Sequence, residues 1–207
     1  MAPNINDILR AARGRIAASI PKTKQQTIQA YTNAKNWFRN KLQNVIYGKD
    51  DNEIEENTNY IGMQSRIVDP FGRLSFFIYQ AENDEKLPYW DAAPLTLFYG
   101  EDDAHMYGMN FHYVHPMIRA KILSGLLDYM VNANNERAYI AVTYKMMKSL
   151  STHRYIKPCI KTYLKTNFRT PPVVIKPEFW HNAIMLPTAQ WKRASNNQVW
   201  RNSSQKF

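Results

Sequence analysis

PLTLFYGEDDAHMYGMNFHY, residues 94–113, is the stretch on which the fold turns. Two apolar runs, Pro94–Tyr99 and Met106–Tyr113, flank a polar turn at Gly100–Asp103. Short apolar runs bounded by turn residues read as paired strands. Upstream, Arg73–Gln80 (RLSFFIYQ) reads as a third strand, set off by the polar Glu82–Glu85. Three or four short strands with tight turns predict a small, open antiparallel β-barrel. Gly108, inside one of these strands, marks a place where the backbone approaches a neighbour closely.

Working outward, Pro116 opens a helix through Val131, with Ile118, Ile122, Leu123, Leu126, Leu127 and Met130 facing the core. A polar loop at Asn132–Glu136 follows, and Tyr139–Tyr144 reads as one more strand. Towards the N-terminus the period becomes helical. Ile5, Ile8, Leu9, Ala12, Ile16 and Ile20 form one stripe, which Pro21 ends. Thr23 and Gln26 have the spacing of a capping box for a second helix, striped by Ile28, Tyr31, Phe38, Leu42 and Val45 and stopped by Gly48. Both helices have narrow apolar faces suited to packing on protein. The expected class is α+β: N-terminal amphipathic helices, a small open antiparallel β-barrel, and helices on a basic C-terminal region. The expected organisation is a helical N-terminal arm (1–48), an acidic linker (49–59), an α+β core (60–194) and a polar tail (195–207).

The charges are sorted along the chain. Residues 1–49 hold nine Lys/Arg against one acid, residues 50–105 three against thirteen, and residues 106–207 fifteen against three. The blocks carry +8, −10 and +12, which make up the net +10. A positive surplus held on separate segments is the electrostatic footprint of a protein that meets a polyanion. It is also compatible with a solvated basic surface on a structural protein. A hydrophobic content of 44% supports a packed core and excludes disorder throughout. Cys159, the single cysteine, excludes a disulfide framework and a thiolate metal cage, and fits a reducing compartment. No run approaches the roughly 18–20 apolar residues of a membrane span.

The segment Ile156–Arg169 carries the clearest binding signal. Ile156, Cys159, Ile160, Tyr163, Leu164 and Phe168 fall on one face of a helix, and Lys157, Lys161, Lys165 and Arg169 on the other. Four cations spaced about 6 Å apart along a helix would each find a phosphate oxygen. Residues 145–207 hold twelve Lys/Arg against the single acid Glu178. The same region supplies Tyr155, Phe179, Trp180, Trp191 and Trp200, and aromatics among cations stack on unpaired bases or frayed ends. Trp200, in the polar tail, is the better surface candidate, while Trp180 reads as core. Lys192, Arg193 and Arg201 complete the candidate nucleic-acid contacts. There is no recognition-helix pattern or zinc-finger spacing, so contact with the backbone or with ends is expected rather than sequence readout.

Catalytic signals are sparse. There is no Gly-rich phosphate loop and no nucleophile elbow. His105, His112 and His115 lie close together, but strand alternation sends the outer two to opposite faces unless a bulge intervenes. Asp69, then Asp84 with Lys86, loosely matches the acid…acid-x-Lys pattern of metal-dependent nucleases. Asp84 and Lys86 lie in ENDEK, where solvated turn charges are common. No cofactor and no metal are expected.

Several segments together resemble the DNA end-protector proteins of T-even-type tailed phages. They are Phe76–Tyr79 (FFIY), Leu87–Asp91 (LPYWD), Pro94–Leu97 (PLTL), Tyr107–Tyr113 (YGMNFHY), Pro158–Leu164 (PCIKTYL), Glu178–Pro187 (EFWHNAIMLP) and Val199–Trp200. Their order and spacing span roughly residues 75–200. The resemblance implies a non-catalytic virion protein that sits on the ends of packaged double-stranded DNA and shields them from host exonuclease. It would reside in the virion, and in the host cytoplasm during assembly and after injection. Its partners would be the genome ends and other virion proteins of the head or neck, with no membrane and with homo-oligomerisation open. The resemblance assigns no binding residues. A structural head, neck or tail protein and a metal-dependent nuclease remain the alternative readings.

Overall fold

The computed structural model describes residues 4–49, 51–54, 69–82, 91–132, 136–191 and 194–202. The element order is α1 (Ile5–Ala18), α2 (Lys24–Ile46), β1 (Leu74–Phe76), β2 (Leu95–Glu101), β3 (His105–Asn110), α3 (Pro116–Asn132), α4 (Glu136–Ser151), β4 (Ile160–Leu164), β5 (Val173–Val174), α5 (His181–Ile184) and α6 (Asn196–Asn202). The class is α+β.

The 94–113 stretch forms the β2–β3 hairpin at the centre of a five-stranded antiparallel sheet of order β4-β3-β2-β1-β5. Asp102 builds its turn: Oδ1 accepts the N–H groups of Ala104 and His105, and Oδ2 accepts the Tyr107 hydroxyl. The Tyr107 hydroxyl, with the His105 ring and these amides, holds the Asp102 carboxyl well below the usual range. Register sorts the residues by face. Leu74, Leu97, Met109 and Ile160 form one buried row across the sheet. On the reverse face Phe98 sits opposite Gly108, and Gly108 opposite Lys161. A Cβ at Gly108 would lie 2.3 Å from Thr96 Cγ2, so only glycine fits there.

The first face is covered by helices. α1 and α2 send Leu9, Ala12, Ile16, Ala34, Phe38 and Val45 into the same core as Leu123, Leu126 and Leu127 of α3. α1 lies against α3, α5 and the 3-10 turn Pro177–Phe179, while α4 lies against β2. The capping box opens α2: the Gln26 amide donates to Thr23 Oγ1, and the Thr23 amide to Gln26 Oε1. Gly48, at φ 60, lets the chain leave that helix in the left-handed region. Lys41 is buried near its end, and its ammonium reaches Asp51 at 2.6 Å and Glu53 at 2.9 Å. Trp37 Nε1 donates to the same Glu53 carboxylate at 2.6 Å, and Ile54 bridges to Ile175.

The reverse face carries a separate aromatic cluster of Phe77, Phe98, Met106 and Tyr163, with Phe71, Tyr79 and Phe168 packed on it. The chain after β1 bends across to meet the chain after β4. Arg169 N–H donates to the Ile78 carbonyl at 2.8 Å, and Gln80 N–H to the Asn167 carbonyl at 3.1 Å. The sheet therefore curls around the cluster, but it does not close into a barrel.

Two local expectations are corrected. Tyr139–Tyr144 lies in α4, where Tyr139, Thr143 and Met147 form a buried stripe at four-residue spacing. Ile156–Arg169 is no helix: a 3-10 turn (Lys157–Cys159), β4 and a second 3-10 turn (Lys165–Asn167) replace it. Pro158 removes a helical donor, and the free edge of β3 offers Ile160–Leu164 a full ladder of partners.

Candidate nucleic-acid interface

Losing the helix disperses the four-cation ridge. Strand geometry sets Lys161 and Lys165 roughly 13 Å apart along the chain instead of one helical turn. At the far end of β4, Lys165 Nζ pairs with Glu101 at 2.7 Å. Arg169 Nε donates to Gln80 Oε1 at 3.0 Å. At the near end, Lys161 lies beside a preassembled aromatic pair. The Tyr113 and Trp191 rings stack with centroids 4.0 Å apart and planes 13° from parallel. Lys161 Nζ is 4.7 Å from the Trp191 centroid and 5.4 Å from that of Tyr113, within cation–π range of both. Burial pushes the Lys161 amine down to about 7, against an opposing pull from Cys159.

Tyr113 and Trp191 form part of the wall of a groove of about 740 Å³. His115, Arg154, Tyr155 and Asn197 also line it, and none of the described lining residues is acidic. Arg154 Nη2 donates to Asn197 Oδ1 at 3.2 Å, which joins the segment after α4 to α6. α6 packs against the Lys157–Cys159 turn, bringing Lys157 to the same side, and carries the exposed Arg201. Tyr155 is 67% exposed at the groove. Cys159 lines it too, yet burial pushes its thiol up to about 12, so it offers no thiolate near neutrality.

A buried cation sets the groove's framework. Arg119 on α3 is fully buried and faces carbonyls rather than a carboxylate. Its guanidinium donates to Phe111 O at 2.7 Å, Ile184 O at 2.9 Å, His112 O at 3.3 Å and also to Leu186 O. Desolvation lowers Arg119 to about 10, so it stays charged at neutral pH. It thereby clamps the Phe111–Tyr113 turn to the end of α5. Ala189 N–H adds a bond to His112 O at 2.7 Å, and the chain runs on from there to Trp191.

Of the sequence candidates, Lys157, Lys161 and Arg201 come to one region, while Lys165 and Arg169 lie at the other end of β4. Trp200 is in α6 next to Arg201. Lys192 and Arg193 lie outside the described residues, directly after Trp191 in the chain. Sequence reasoning missed Arg154, His115 and Tyr113 as groove residues. For the first of these a signal existed: HRYIK (153–157) interleaves cations with an aromatic.

Most of the described catalytic candidates make local contacts. His105 Nδ1 contacts Asp102 at 2.9 Å, and His112 Nδ1 contacts Asp91 at 2.6 Å, while His115 sits in the groove. Burial pushes the Asp91 carboxyl up, but His112, Asn110 and the Ala93 amide outweigh it and hold the group below the usual range. Asp69 Oδ1 caps the Phe71 amide at 2.9 Å, and Asp84 and Lys86 lie outside the described residues. Among the described residues no group of three or more His, Cys, Asp and Glu is placed to hold a metal ion, and no helix is long and apolar enough to cross a membrane.

Comparison with known proteins places the chain in a family. No curated protein and no solved structure matches the chain. The model of the phage T4 terminal DNA protecting protein matches residues 5–203, nearly the whole chain. On that match, the chain belongs to the phage T4 terminal DNA protecting protein family.

Proposed function

We propose that the chain is a non-catalytic protein that binds the ends of linear double-stranded DNA in a tailed phage and shields them from exonuclease. The observation that carries this reading is the family match over residues 5–203. The geometry supports it with a groove lined by Arg154, with no acid among its described lining residues, and walled by aromatic rings beside Lys161. Lys192, Arg193 and Trp200, the remaining sequence candidates, belong to this proposal as further DNA contacts. Lys165 and Arg169 join it only by exchanging Glu101 and Gln80 for phosphate. Action in the virion, and in the host cytoplasm after injection, belongs to this proposal, as do contacts with other head proteins.

The test is competition binding with labelled linear duplex in magnesium buffer, using covalently closed circles of the same sequence as competitor. Poor competition by circles with the linear DNA uncut supports end binding. Equal competition makes the chain a general duplex binder, and cleavage that a chelator abolishes makes it a nuclease. Affinity should also fall by nearly one log unit per log unit of salt for each phosphate contacted.

A further inference from the structure

We infer that the groove between the Tyr113–Trp191 stack and Tyr155 receives an unpaired terminal nucleotide of a DNA end, its base against the aromatic wall and its phosphate at Arg154. This rests on the end-binding reading above and says what part of the end is recognised.

Inside a duplex both faces of each base are covered by neighbouring base pairs. Only an end, or a single-stranded extension of it, offers a free base face to a protein ring. A groove of about 740 Å³ matches the scale of small-ligand sites, about 300–1,000 Å³. Its chemistry is divided as a nucleotide's is. Tyr155, Tyr113 and Trp191 supply flat apolar surface; Arg154 and His115 supply charge or donors for a phosphate; Gln190 and Asn197 supply donors and acceptors for a base edge.

The stack is held by contacts within the chain: Lys161 lies beside both rings and Arg119 clamps the turn that carries Tyr113. Preorganisation lowers the ordering cost of binding. A second groove, about 810 Å³ in volume along α1, is lined by Asp7, Glu53 and Glu178 beside Arg15 and suits a polyanion poorly.

The inference is tested with duplexes that share the same paired region, one blunt-ended and one carrying short single-stranded extensions. Dissociation constants are measured for the full chain, Tyr155→Ala, Tyr155→Phe and Trp191→Phe, with thermal melts to establish that each variant is folded. The expected result is tighter binding of the extended ends by about 10-fold or more, the scale of a stacked base. Tyr155→Ala should lower affinity for extended ends about 10-fold more than for blunt ends, with an unchanged salt slope. Tyr155→Phe and Trp191→Phe, which keep a ring, should retain most of the preference. Equal affinity for blunt and extended ends would overturn the inference while leaving end binding intact, provided closed circles still compete poorly. A loss in Tyr155→Ala that is equal on both substrates would overturn it as well. Circles that compete as well as linear DNA would remove this inference and the reading beneath it together.

Discussion

The two ends of β4 carry cations of the same kind at the same sequence spacing, and the structure uses them differently. At the far end, Lys165 faces Glu101 and Arg169 faces Gln80, so a phosphate there would have to displace existing protein partners. At the near end, Arg154, bonded to the neutral Asn197, lines a groove with no acid among its described lining residues, and Lys161 lies beside the aromatic rings. Positive charge is better placed to bind where a flat apolar wall gives the ligand a second reason to stay. Charge counted along the sequence does not distinguish these situations.

The largest effect that would break this contrast is expected at Arg119. Arg119→Leu leaves the carbonyls of Phe111, His112, Ile184 and Leu186 without their buried donor, at a cost of about 3 kcal/mol. Urea unfolding measures that loss, and DNA-end affinity should fall with it because the Tyr113 turn is released. An unfolding free energy within about 0.5 kcal/mol of the parent, the usual range of a surface substitution, would refute the clamp.

Next is charge reversal of the near end. Arg154→Glu combined with Lys157→Glu should weaken DNA binding by about 100-fold or more at low salt. It should also reduce the magnitude of the salt slope by about two. The same reversal at Lys165 and Arg169 should do much less. Equal losses at the two ends would erase the distinction drawn here.

Lys161 sharpens it through pH. Its folded-state pKa of about 7 lies below the ordinary lysine value, so between those two values the unfolded chain binds a proton that the folded chain lacks. Stability of the parent relative to Lys161→Met should therefore rise with pH across that window. Below about pH 7 the full cost of burying the ammonium remains, and the methionine variant should hold its largest advantage. Paired unfolding curves from about pH 6 to about pH 10 check the sign, and a constant difference would remove the burial argument.

The smallest effect belongs to the Lys165–Glu101 pair. It is part-exposed, so Lys165→Ala should change stability by no more than about 1 kcal/mol. DNA affinity in a filter-binding titration should change by less than about 3-fold, a contact energy below about 0.7 kcal/mol.

Much of the frame was legible because its signals are local. The 94–113 hairpin announced itself by apolar runs around a polar turn, α2 by its Thr23–Gln26 box, and α3 by a stripe from Ile118 to Met130. Ile156–Arg169 was misread because its apolar residues fall at helical spacing, while the deciding interaction, pairing with the edge of β3, is non-local. Arg119 gave no warning either: a lone arginine in an apolar helix looks like a solvated position until the carbonyls of distant turns converge on it. The groove was beyond local reading for the same reason. Tyr113, Arg154 and Trp191 come from three separate segments, and only HRYIK hinted at one wall.

Nuclease protection tests the central claim most directly. A linear duplex saturated with the chain is exposed in parallel to a processive exonuclease and to a restriction endonuclease with one internal site. End shielding predicts that the exonuclease is blocked while internal cutting proceeds at its normal rate. Exonuclease digestion at the rate of naked DNA, or equal protection of ends and interior, would contradict the account.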